Sequence, residues 1–340
     1  MRAASSFAQA LTSYRPAVRA LTFVIGLTIA TASGQAQTTQ QGPVTLGWVK
    51  STANLLAFIV PKIGEKHGLK IESINFNTAV DISTAMVSGQ IDVGVLTPIH
   101  LIRAIENKID FVQIAGNARG NTGIVVSKKL NLKENDWAGL KKILSEKKLK
   151  VASSRGSINE LLAIAELSKH GIDVEKDIDL INVANFGQHP QALRSGDFDM
   201  IITLEPLSSL AILEGTGTLF TRPYGTAAGD LNTNYVVQRS WLAQNADKAQ
   251  AFVGALKEAS QVLSSDKERE LKAAVQLTGM KPDILSAALA NNRYDLGNGL
   301  PEMEELARLA FERHYSTRNV APELKQHVDD RFLNAATAGR

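Results

Sequence analysis

Two stretches of this chain carry nearly the same message. Ser88-Gly89-Gln90-Ile91-Asp92-Val93-Gly94-Val95-Leu96-Thr97-Pro98 is echoed by Ser195-Gly196-Asp197-Phe198-Asp199-Met200-Ile201-Ile202-Thr203-Leu204-Glu205-Pro206. Each reads as a helix closed by glycine, a short apolar strand covered on both faces, and a proline that ends the strand. The echo extends backwards: Lys66-His67-Gly68-Leu69 is answered by Lys169-His170-Gly171-Ile172, and Ile74-Asn75-Phe76-Asn77 by Ala184-Asn185-Phe186-Gly187. Two blocks, 44–98 and 149–206, therefore share the order strand–helix–strand–helix–strand. Parallel strands joined by crossover helices form an open sheet that takes ligands at its strand carboxyl ends. Two such sheets predict an α/β, two-lobed fold, each lobe a mostly parallel sheet flanked by helices, with a cleft between.

The remaining segments fit around these blocks. Phe111–Ala115 reads as a strand, Gly116–Asn121 as a glycine- and asparagine-rich turn, and Gly123–Ser127 as the first passage to the second lobe. Tyr235–Val237 reads as the return strand. Helices are expected over 244–263, 267–277, 282–291, 301–315 and 322–333, with Pro282, Pro301 and Pro322 at starts. The expected division is 37–124 with 236–340 for lobe 1, and 125–235 for lobe 2.

Arg2, Arg15 and Arg19 precede the apolar run 20–32, and Gly34-Gln35-Ala36 follows, the layout of a secretory signal over 1–36. Those three are the only charges in the leader, so the remainder balances 34 basic against 34 acidic residues. That balance gives no reason to expect nucleic acid or a membrane surface as partner. The chain has no cysteine, which excludes disulfides, thiolate chemistry and a lipid-modified cysteine. The six histidines lack metal-type spacing. No catalytic constellation, metal site or cofactor motif is present.

The most informative turn is Ser153-Ser154-Arg155-Gly156-Ser157-Ile158-Asn159-Glu160. Ser157 and Glu160 have capping-box spacing, which places a helix start here with donors and a positive dipole end suited to an anion. Arg155 could clamp that anion in bidentate fashion, or stay solvated on the surface. Thr52 and Asn54 occupy the matching turn of the first block. Asn77, Thr97, Asn117, Asn185 and Gln188 lie near strand ends, where short polar side chains orient ligands or simply cap turns. Trp48 could wall the pocket or pack inside. Asp81 and Glu205 are the carboxylates that could instead hold an amine.

With the leader, the two blocks and the two crossings, the sequence resembles the periplasmic substrate-binding proteins of ABC importers, in the branch for nitrate, sulfonates, taurine and the thiamine-precursor pyrimidine. The resemblance rests on 44–48, Lys66-His67-Gly68-Leu69, 87–94, 150–157, Gly196-Asp197-Phe198-Asp199 and Glu205-Pro206. It implies a monomeric, periplasmic receptor without catalytic activity, which closes on a small polar ligand and delivers it to a membrane permease. A sulfonate, nitrate or carboxylate is the favoured ligand. An amine or aminopyrimidine, a ligand-sensing role, or an enzyme on the same scaffold are the alternatives.

Overall fold

The two repeated blocks build two separate sheets. In the computed structural model, which describes residues 42–338, the strands are β1 (Val44–Val49), β2 (Ile71–Phe76), β3 (Val93–Leu96), β4 (Phe111–Gly120), β5 (Thr122–Ser127), β6 (Leu149–Ser153), β7 (Ile178–Asn182), β8 (Met200–Leu204), β9 (Gly217–Thr221), β10 (Leu231–Gln238) and β11 (Asn292–Tyr294). The first sheet has six strands in the order β11-β4-β10-β3-β1-β2, and the second has five in the order β7-β6-β8-β5-β9. Within each, the repeated strands pair in parallel: β2-β1-β3 in one and β7-β6-β8 in the other. The expected leader, 1–36, lies outside the described residues.

The glycines that close the repeated helices behave as their position requires. Gly89 has φ +75° and Gly196 has φ +82°, left-handed values that an L side chain resists. After them the apolar strands are buried: β3 throughout, and β8 up to the half-buried Leu204.

The chain crosses between sheets at Asn121, and again between the end of β9 and the start of β10. Two sequence-based boundaries shift here. The segment 116–121 is strand rather than turn as far as Gly120, because β10 and β11 flank it and supply its hydrogen bonds. The return strand is longer than 235–237: it starts at Leu231, and all of it belongs to the six-stranded sheet. The expected last helix is also divided, into a 3-10 segment Ala321–His327 and a helix Arg331–Ala338.

In chain order the first five α-helices are α1 (Leu55–Gly64), α2 (Ala79–Val87), α3 (Pro98–Glu106), α4 (Trp137–Glu146) and α5 (Ile158–Lys169). α1 packs with the helix Ala246–Ser265 over one face of the first sheet, around Leu55, Leu56, Val60, Phe252 and Leu256. On the other face, a single apolar cluster joins α3 (Ile99, Ile102) and the helix Leu300–Glu312 (Met303, Leu306) to α5 (Ile158, Leu161, Leu162). The lobes are therefore sewn together along α5.

Candidate functional site

The parallel strands of both lobes end in turns that lead to helices. β1 is followed by Lys50-Ser51 and a 3-10 turn, Thr52–Asn54; β3 by Thr97 and α3; β6 by 154–157 and α5; β8 by Glu205. Two contacts bring these four ends together. Thr52 Oγ1 donates to Glu205 O at 3.4 Å, and Arg103 Nη2 on α3 donates to Gly156 O at 3.4 Å. Each runs from one sheet's lobe to the other's, so strand ends of the two sheets touch at two points.

The start of α5 forms as its sequence predicts. Ser157 is extended, and its hydroxyl accepts from Glu160 N at 3.2 Å. The return half of the box differs. Ser157 N already bonds Ser154 O at 3.2 Å, so the fully buried Glu160 carboxylate accepts from Gly156 N at 3.2 Å instead. Tyr315 OH, from the segment after the helix Leu300–Glu312, donates to the same carboxylate oxygen. The amides of Ile158 and Asn159 remain as donors without an intrahelical partner. Ser153, which ends β6, is fully buried, and its hydroxyl has no hydrogen-bond partner.

Arg155 is exposed, with its guanidinium against its own chain. Its Nε stands 3.7 Å from Glu160 Oε1, and its guanidinium lies over the Tyr315 ring, 5.7 Å from the centroid. A buried carboxylate and an aromatic face hold it on the side of α5 that faces the C-terminal segment.

At the start of α3, Thr97 Oγ1 lies 2.8 Å from His100 Nδ1. Burial, and then the neighbouring Arg103 charge, lower the His100 pKa from 6.5 to about 4. The unfolded chain takes up this proton near pH 6.5, and the folded one only near pH 4. His100 therefore removes stability as pH falls through that window, at most about 3 kcal/mol. A His100→Gln variant keeps a partner for Thr97 but has no proton to take. Urea unfolding from pH 7 to pH 4 should show a flatter loss of stability than in the wild type; parallel curves would refute the assignment.

The other expected residues separate into three groups. Glu205, Thr52, Asn54, Asn117 and Trp48 are buried, each with hydrogen-bond partners in the chain. The Glu205 carboxylate accepts from Arg222 Nη2 at 3.0 Å, Asn291 Nδ2 at 3.0 Å and Ser209 N at 3.1 Å. Three donors of the chain itself converge on it. Asn117 Nδ2 donates to Asn54 Oδ1 at 3.0 Å and Thr233 Oγ1 at 2.9 Å. Trp48 packs near Phe58 and donates through Nε1 to Ser73 Oγ at 2.5 Å.

Asn77, Asn185 and Gln188 are exposed, beyond the edge strands β2 and β7, and the Asn185 side chain caps its own turn by accepting from Gly187 N at 2.9 Å. Thr97, Ser154 and Ser157 are half-buried at the helix starts, and Gly156 is buried. The residues that sequence reasoning missed are Arg103 and His100, one turn apart on the outer side of α3. The signal available was their i, i+3 spacing after Thr97-Pro98, on a helix whose other positions up to Ile105 are apolar.

Among the described residues no helix is long and apolar enough to cross a membrane, and no group of three or more acidic or histidine side chains could hold a metal ion. Several solved structures share the fold. The aliphatic sulphonate-binding protein SsuA of Escherichia coli superposes with a TM-score of 0.71 at 19% identity, over 85% of this chain and 92% of that one. The nitrate-binding protein NrtA of Synechocystis PCC 6803 does so with a TM-score of 0.74 at 15% identity, over 87% and 88%. Both are described as periplasmic binding proteins, and the present chain has their two-lobed α/β fold. In sequence, the chain is 25% identical over 196 residues to YtlA of Bacillus subtilis (strain 168), a match that spans 57% of this chain and 56% of YtlA. Residues 37–278, with both repeated blocks and the two crossings, match the NMT1-like family, and the chain belongs to it.

Proposed function

We propose that this protein is the exported solute receptor of an ABC importer, closing its two lobes on a small oxyanion and presenting it to the membrane permease. The observation that carries the reading is the meeting of strand ends from both sheets at the Thr52–Glu205 and Arg103–Gly156 contacts. A solute held there touches both lobes at once, and closure follows from its tighter binding to the closed form. The start of α5, where amide donors and the helix dipole face the gap, favours negative charge.

The amine alternative loses its two candidate carboxylates. Asp81 is exposed at the start of α2, where it accepts from Thr78 Oγ1 at 2.8 Å, and Glu205 is taken by Arg222 and Asn291. The sulphonate- and nitrate-binding proteins that share the fold agree with an anionic solute. Hinge motion at Asn121 and in the 222–230 segment would separate the lobes.

The test is thermal and chemical unfolding of the purified protein with nitrate, alkanesulfonates, taurine and small carboxylates. A bound solute at 100 times its Kd adds about 2.7 kcal/mol to stability, and solution scattering should show compaction with the same compound. No stabilisation by any of them, alongside a response to an amine, would overturn the oxyanion reading.

A further inference from the structure

Five arginines among the described residues are half-buried: Arg103, Arg119, Arg222, Arg313 and Arg318. Four of them pair with carboxylates. Arg119 meets Asp230, Asp295 and Glu302; Arg222 meets Glu205; Arg313 meets Glu175; Arg318 meets Glu323. Arg103 is the exception. No carboxylate lies within 4.0 Å of it among the described residues, and its one side-chain hydrogen bond is the 3.4 Å contact to Gly156 O. A guanidinium has five donors and loses hydration when half-covered, so leaving it without an anion is costly.

Its surroundings keep that position open. A Cβ on Gly156 would stand 2.7 Å from Arg103 Nη2, and Gly156 has φ +70°. The glycine therefore makes room for the guanidinium as well as for the turn. Next to this turn lie the unpartnered, fully buried Ser153 hydroxyl and the start of α5. The one other cation of the turn, Arg155, is already placed against Glu160 and Tyr315.

We propose that Arg103 is the charge partner of the bound solute: it reaches from the six-stranded lobe to an anion seated at the turn between β6 and α5, and so sets the preference for negative charge. This rests on the reading of the protein as an oxyanion receptor. Arg103 then acts as a specificity-determining residue, because the anion completes a contact between the two lobes.

The experiment is titration calorimetry of wild type, Arg103→Lys, Arg103→Gln and Arg155→Gln with nitrate, methanesulfonate and acetate as probes. Binding of at least one probe to the wild type is expected. Arg103→Gln should weaken it by about tenfold or more, Arg103→Lys by less, and Arg155→Gln by no more than about threefold. If Arg103→Gln melts early, Gly156→Ala asks the same question by displacing a retained charge, and a loss of about tenfold is again expected. Affinity unchanged in Arg103→Gln, or in Gly156→Ala where that variant replaces it, overturns the assignment and leaves the receptor reading intact. No binding of any probe to the wild type removes the oxyanion reading, and the assignment with it.

Discussion

Glu205→Ala should lower the unfolding free energy by about 3–5 kcal/mol, seen as a lower urea midpoint at unchanged slope. The carboxylate is 1% exposed and accepts from Arg222, Asn291 and the Ser209 amide at 3.0 to 3.1 Å. Removing it leaves a largely buried guanidinium and a backbone donor without partners, which is the costly way to break an ion pair. Glu205→Gln keeps the shape and one acceptor and should cost less. The site also explains why the effect spreads. Arg222 lies on the return path to the first lobe, and Asn291 precedes β11 of the six-stranded sheet. One side chain thus joins the end of β8 to both. A loss below about 1 kcal/mol, the range of exposed pairs, would refute this.

Gly116→Ala should cost about 3 kcal/mol, combining overpacking with a weakened backbone hydrogen bond. A Cβ at this position would stand 2.3 Å from Gly297 O and 2.5 Å from Asp295 O. Both atoms are backbone, so neither can rotate aside as a side chain would. The Gly116 amide donates to Leu296 O at 2.9 Å, and any retreat of that segment stretches this bond. Chemical denaturation of the variant measures the sum. Wild-type stability would mean that residues 295–297 yield freely.

That glycine also marks where sequence reasoning stopped. Gly116-Asn117-Ala118-Arg119-Gly120-Asn121 has turn composition, yet it is strand because residues far along the chain use it. Segment 295–297 needs the missing Cβ, and Asn117 ties Asn54 to Thr233. The repeated blocks were legible because their signals are local: glycine after a helix, an apolar run, then proline. The same holds for the Ser157 cap, three residues from its partner. The surroundings of Glu205 and Arg155 were not legible, for the opposite reason. Their partners, Asn291 and Tyr315, stand in the C-terminal part of the chain, and nothing near either residue announces them. Arg103 was overlooked because its meaning lies in what it lacks, a carboxylate, and only the assembled lobes display that.

The seam along α5 has a mechanical consequence. Ile158, Leu161 and Leu162 are each buried against the six-stranded lobe's helices, and fully burying such a side chain is worth about 1.5–3 kcal/mol. A small solute cannot return that sum on every cycle of capture and release. On the receptor reading proposed above, α5 would therefore serve as the spine of a book, and the covers would part at the margin where the edge strands β2 and β7 present Asn77 and Asn185 to the solvent.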